Sequence, residues 1–322
     1  MLTVVMYHYV RRLAGSRFPE IKGLERDLFI QQLAYIRRFY TPVTGQDVID
    51  AVRSGSALPN NAALLTFDDG YLDHFINVLP ILMRDKISGV FFPPARCVIE
   101  RRMLDVNKIH YILASVSHKQ AIVAAIEHSV QNADANLHLE PVAYYRAQYA
   151  VASRFDSAEV IYIKRMLQLA LPLELRVQII DELFRRYVSS DERAFADEVY
   201  MDKDQLRCLL SCGMMIGSHG YNHDWLNHLS PEQQATDIDL SLDFLRTIGV
   251  ESNAWVMCYP YGGWSESLLK LLRERDCAIG FTTQVGLALA SGDDPLLLPR
   301  LDTNDLPKDG SAAAAGWTLR VQ

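Results

Sequence analysis

Short apolar runs that stop at polar residues alternate along the chain with longer segments whose apolar positions recur at helical spacing. The runs at 2–8, 62–67, 87–92, 214–218, 255–259, 277–282 and 296–300 predict strands, with a short one near 40–43. The spacing predicts helices over about 27–38, 45–53 and 72–85, the last disturbed by Pro80. Asp27 is the expected cap of the first, with Phe29, Leu33 and Ile36 facing inward. Farther on, Asp202 with Gln205, Ser230 with Gln233, and Ser265 each mark a helix start, and Gly213 and Gly249 mark helix ends.

From about 101 to 200 the texture is helical and strand signals vanish. Lys119–Gln131 carries Ile122, Ile126 and Val130, and the helices continue over Ala158–Leu171 and Leu173–Val188. This reads as a helical insertion large enough for a small core of its own. The expected organisation is a barrel domain from 1–100 and 201–306, the insertion at 101–200, and a loose tail at 307–322. About seven strands alternating with helices predict an α/β fold with a barrel-like parallel sheet; an open doubly wound sheet remains the alternative.

Such folds gather polar chemistry at the C-terminal strand ends. Here the ends deliver His8, Asp68-Asp69, His219, Tyr259-Pro260 and Arg300-Leu301-Asp302. Two adjacent carboxylates in an apolar setting need a cation or hydrogen-bond donors to stay charged. His219 and His223 are four apart, so on one helical turn both imidazoles would share a face and a cation. A carboxylate as third ligand leaves an open position for water, as in catalytic zinc sites. A cation there draws the water pKa from about 15.7 toward 7, and whichever aspartate is not a ligand stands ready to take the proton.

Composition narrows the setting. Charged residues are 22% of the 322 and the formal net charge is −7, which gives no reason to expect nucleic acid. No apolar stretch is long enough to span a bilayer. Met1-Leu2-Thr3-Val4-Val5-Met6-Tyr7-His8 has no basic start or cleavage site, so it reads as a strand and the expected location is cytoplasmic. The five cysteines, Cys97, Cys208, Cys212, Cys258 and Cys277, read as reduced core thiols. The oligomeric state is not legible in the sequence.

Thr66-Phe67-Asp68-Asp69-Gly70, Ser218-His219-Gly220-Tyr221-Asn222-His223 and Tyr259-Pro260-Tyr261-Gly262 resemble, in order, the first three motifs of the polysaccharide deacetylases of carbohydrate esterase family 4. The resemblance covers about 1–100 and 203–302. It implies a distorted TIM-like (β/α) barrel and a divalent metal, zinc first. The implied activity is hydrolysis of N-acetyl, sometimes O-acetyl, groups on sugars, a C–N bond other than a peptide bond. It implies Asp69, His219 and His223 as metal ligands, Asp68 as general base, and the Tyr261 backbone N–H as oxyanion donor.

Two departures stand out. Cys258 occupies the place of the arginine that braces the base, and Arg300 is the candidate substitute or else a structural arginine. The late Leu-x-His motif is missing, but Tyr7-His8 resembles the Tyr-His of the poly-N-acetylglucosamine deacetylase branch. That resemblance makes His8 the general acid, against a histidine that merely bonds within the rim. Trp264, Tyr71 and Tyr221 are either sugar-stacking or packing residues, and Asp224 is a candidate acceptor for a ligand imidazole.

The function expected is a metal-dependent carbohydrate deacetylase acting on a cytoplasmic surface-polysaccharide precursor of O-antigen or capsule type. The alternatives are a hydrolase of a non-sugar amide or N-formyl group, and an inactive carbohydrate-binding or scaffold protein.

Overall fold

A computed structural model describes residues 1–153, 156–251, 254–289 and 292–321. Seven parallel strands form a nearly closed barrel: β1 Leu2–Tyr7, β2 Ala62–Asp68, β3 Gly89–Phe92, β4 Met215–Ile216, β5 Val256–Cys258, β6 Ile279–Val285 and β7 Leu298–Asp302. Their order is β4-β3-β2-β1-β7-β6-β5, each neighbouring pair parallel. The ring closes where the Ser218 N–H donates to the Val256 carbonyl (2.8 Å) and the Cys258 N–H to the Ser218 carbonyl (2.9 Å). That closure decides for the barrel over the open sheet.

Alternation along the strands sorts residues into two layers. Leu2 and Val4, Ala62 and Leu64, Val90 and Phe92, Val256 and Cys258, Ile279 and Phe281, and Leu298 pack in one buried cluster that fills the barrel. The opposite parity, including Val5, Tyr7, Leu65, Phe67 and Phe91, packs with Phe29, Leu33 and Ile36 of the helix Arg26–Phe39. At the C-terminal strand ends Tyr7, Phe67 and Phe91 stack in a row, with centroids 5.1 and 4.7 Å apart. Each such pair adds about 1 kcal/mol beyond area burial. The row stiffens three strand ends beneath the residues that follow them.

The helix starts at Asp202 and Ser230 are capping boxes with Gln205 and Gln233, and the helix Pro231–Ile248 ends on left-handed Gly249. Asp27 is not a cap: the helix begins at Arg26 with Glu25 before it, and Asp27 lies in its first turn. The segment over 72–85 is broken in two, a π-helical turn His74–Val78 followed by the helix Leu79–Asp85, with Pro80 tolerated in that helix's first turn. Nor is the tail loose. Gly316–Val321 is helical, and Thr318 is buried against the hydroxyls of Tyr35 and Tyr40 at 2.6 and 2.8 Å.

The chain divides into two compact units, Met1–Arg12 with Gly23–Arg102 and Ala196–Gln322, and Leu13–Lys22 with Met103–Phe195. The second is helical, and within it Lys108 is buried between Asp181 (2.6 Å) and Glu192 (3.1 Å). Among the described residues no helix is long and apolar enough to cross a membrane.

Candidate metal centre

Inward parity carries the site. Beyond Leu64, β2 turns Thr66 and Asp68 into the barrel, and beyond Leu298, β7 turns in Arg300. Arg300 and Asp68 are almost fully buried and meet end to end, Nη1 to Oδ1 at 2.9 Å and Nη2 to Oδ2 at 2.8 Å. The guanidinium also donates to the Thr282 carbonyl (2.9 Å) and the Thr66 hydroxyl (3.1 Å). Burial pushes the Asp68 carboxyl up, but Arg300, with His219 and His8 behind it, overcomes this and holds it at about 2. Asp68 is therefore a buried carboxylate fixed in its ionised form. His8, just past the end of β1 on the parity of Leu2 and Val4, lies with Nε2 3.9 Å from Asp68 Oδ2 and its side chain 42% exposed.

Asp69 follows with a left-handed φ of +69°, which keeps its side chain at the rim where an extended backbone would carry it to the other face. Nε2 of both His219 and His223 lies 3.4 Å from Asp69 Oδ1. The ligand atoms of these three buried residues all fall within 4.8 Å of one another. Asp69 Oδ1 is buried without a hydrogen-bond partner, whereas Oδ2 accepts a short bond from the Tyr71 hydroxyl. A buried carboxylate oxygen with no donor, facing two imidazole nitrogens, fits a divalent cation. His219 Nδ1 points at the Cys258 carbonyl (2.8 Å), which presents Nε2 toward Asp69. Burial lowers the His223 pKa, favouring the neutral imidazole that a cation needs. Asp68, His219 and Cys258 also come together, but Arg300 and the Cys258 carbonyl already engage the first two.

The two histidines do not share a helical turn. They lie on the loop after β4, where Gly220 (φ +71°) and His223 (φ +64°) fold the second imidazole back beside the first, centroids 4.7 Å apart. Buried Asp237 holds this loop, accepting the Tyr221 and Asn222 N–H groups at 2.8 and 3.0 Å. Gln234 and Ser241 flank it on the same helix face, bonding the Leu226 carbonyl (2.9 Å) and the Ser218 hydroxyl. Gly217 is required by space: a Cβ there would meet Val256 Cγ2 at 2.5 Å and Phe92 Cε1 at 2.6 Å.

Support also comes from residues expected to do other work. Tyr71 is fully buried, stacks on Tyr9 and orients Asp69, so it is no sugar platform. Tyr221 bonds Glu100 (2.9 Å), and Asp224 is exposed while the Cys258 carbonyl takes the role expected of it. Trp264 is 39% exposed. Buried His74 bonds the His8 carbonyl through Nε2 (2.8 Å), fixing the backbone that carries His8. Cys97 and Cys258 are buried, and Cys212 and Cys277 are partly buried against the core, but Cys208 is exposed and is not a core thiol. Replacing Tyr71 by Phe is expected to weaken divalent-cation binding about 10–100-fold in chelator competition. Unchanged affinity would reduce the hydroxyl to a space filler.

Tyr261 completes the cluster, its ring 4.8 Å from that of His223. The structure thus brings Asp68, Asp69, His8, His219, His223, Tyr261 and Arg300 to one end of the barrel.

A parallel α/β barrel thus carries an Asp-His-His cradle fit for a divalent cation beside an arginine-held aspartate. A family model described as polysaccharide deacetylase matches residues 183–279. A poly-β-1,6-N-acetyl-D-glucosamine N-deacetylase of Escherichia coli K12 is 39% identical over 91 residues, 28% of this chain and 13% of that protein. The chain therefore matches only a small part of that relative. Among solved structures, the Streptococcus pyogenes deacetylase PplD superposes with a TM-score of 0.58 at 17% identity, covering 95% of this chain and 92% of that one. IcaB from Ammonifex degensii gives 0.55 at 19% identity, covering 94% and 91%. Over residues 183–279 the chain thus matches the polysaccharide deacetylase family, and a Tyr-His stands at the end of its first strand.

Proposed function

We propose that this protein is a metal-dependent deacetylase that hydrolyses N-acetyl, or O-acetyl, groups on a carbohydrate. The observation that carries the reading is the unpartnered Asp69 Oδ1 facing two imidazole nitrogens, one residue from a carboxylate that Arg300 keeps ionised. Zinc is the metal we propose, because two neutral imidazoles and one carboxylate form a three-ligand set that leaves a coordination position open. Bound there, it would supply Lewis acidity to the acyl oxygen and acidity to water.

The chain's own groups do the rest. Asp68 accepts the proton of the attacking water as its oxygen adds to the acyl carbon. The Tyr261 backbone N–H donates to the acyl oxygen as that atom gains charge. His8, open to solvent and 3.9 Å from Asp68, gives a proton to the nitrogen as the C–N bond breaks, so acetate and a free amine leave. Arg300 touches no reacting atom in this scheme; it is a positioning residue acting through Asp68.

The E. coli relatives are named for poly-β-1,6-N-acetyl-D-glucosamine, and we carry over the carbohydrate class. The substrate we would test first is a cytoplasmic, nucleotide- or lipid-linked precursor of a surface polysaccharide. Acetate release from precursor sugars, finished polymer and simple N-acyl or N-formyl amides tests the proposal. Zinc-bound protein inert towards every acylated sugar would sink it, and activity on finished polymer alone would sink the precursor assignment. In the same assay His8→Ala is expected to lower kcat about 10²-fold with bound metal unchanged. Metal loss would remove His8 from the acid role.

A further inference from the structure

We propose that Trp225 is a positioning residue for the acyl-oxygen donor, locking the Tyr261 turn in the conformation that aims its N–H; the inference rests on the deacylation reading above. Tyr261 has φ +56° and ψ 8°, a left-handed conformation that a residue with a side chain keeps only when its surroundings impose it. The surroundings press from two sides. On one, a Cβ on Gly262 would meet Thr283 Oγ1 of β6 at 2.1 Å. On the other, a Cβ on Gly263 would meet Asn227 Oδ1 at 2.4 Å and Trp225 Cε3 at 3.4 Å. The Trp225 indole lies parallel to the Tyr261 ring, centroids 4.5 Å apart and planes within 5°. Two residues earlier on the same loop, His223 meets that tyrosine edge-on at 4.8 Å. The loop that presents a metal ligand is therefore keyed through one aromatic stack to the turn that presents the donor. Removing the indole takes away the face-to-face stack on the Tyr261 ring and leaves that side of the left-handed turn to Asn227 and the edge of His223.

A sugar platform would act differently, and two probes separate the roles. 4-Nitrophenyl acetate carries the reacting acyl group and no sugar; an N-acetylglucosamine oligomer carries both. Trp225→Ala, zinc-loaded, is expected to lose about tenfold in kcat on both probes with KM within about twofold. Bound zinc should be unchanged, deuterium uptake over residues 259–263 faster, and Trp225→Phe should recover most of the loss because it keeps a stacking ring. A loss confined to KM for the oligomer, loss of zinc, or unaltered turnover would each overturn the inference while leaving the deacylation reading standing. Zinc-loaded wild type inert towards both probes would overturn both.

Discussion

Asp68→Asn protein is expected to keep its full complement of zinc and lose about 10³-fold in kcat for acetate release. The amide fills the same space as the carboxylate and still offers Arg300 an oxygen, but it cannot take a proton from water. The cation cradle is untouched, since Asp69 Oδ1 and the two imidazole nitrogens belong to other residues. Asp69→Asn should do the reverse, because the neutral amide removes the cradle's one charge: metal falls away first and activity follows. Metal analysis and initial rates on the same preparations separate the two adjacent aspartates. Wild-type turnover in the zinc-bound Asp68→Asn protein would leave that residue no chemical role. Zinc lost from it would mean that the cation sits on Asp68.

The strand ends of this site were legible because barrel chemistry and barrel packing share one periodicity. Ala62, Leu64, Thr66 and Asp68 are every second residue of β2, so the run that fills the interior also delivers the carboxylate. The same parity carries Cys258 from Val256 and Arg300 from Leu298, which is why the last strand could be suspected of supplying the brace. What spacing could not convey was backbone handedness. Asp69, His223 and Tyr261 all have left-handed φ, and each turns a group into the site that a regular strand or helix would direct elsewhere. The pair His219 and His223 therefore converges without the helical turn that a four-residue interval suggests.

The supporting residues were harder to read, although one signal was present. Gln234, Asp237 and Ser241 interrupt the buried face of an otherwise apolar helix stripe with Ile238, Leu242 and Leu245. Polar side chains on a core-facing stripe must find partners, and here the partners are the backbone and a hydroxyl of the histidine loop. His74 gave no comparable signal. Its role depends on the His8 carbonyl, which belongs to a strand end 66 positions away.

Arg300→Met should cost about 3–5 kcal/mol of stability, because it leaves a carboxylate buried with its main counter-charge removed. Both partners are almost fully buried, so solvent does little to soften that cost. The same change should also reduce turnover with zinc still bound, since an unbraced Asp68 gains a reason to bind its own proton. The arginine's strand of origin ought to matter less than its presence. Cys258 is fully buried on inward parity, with its sulfur within 4.8 Å of a carboxylate oxygen of Asp68, the partner of Arg300, so the two positions open on a common space. Arg300→Met combined with Cys258→Arg is therefore expected to recover roughly half of the lost stability and part of the lost kcat, whereas Cys258→Arg alone overfills the barrel and costs about 1–3 kcal/mol. Urea unfolding and zinc-normalised rates on the four proteins give the coupling directly. Strictly additive losses would show that a guanidinium from β5 cannot reach Asp68 in this barrel, and that the brace depends on β7 rather than on charge alone.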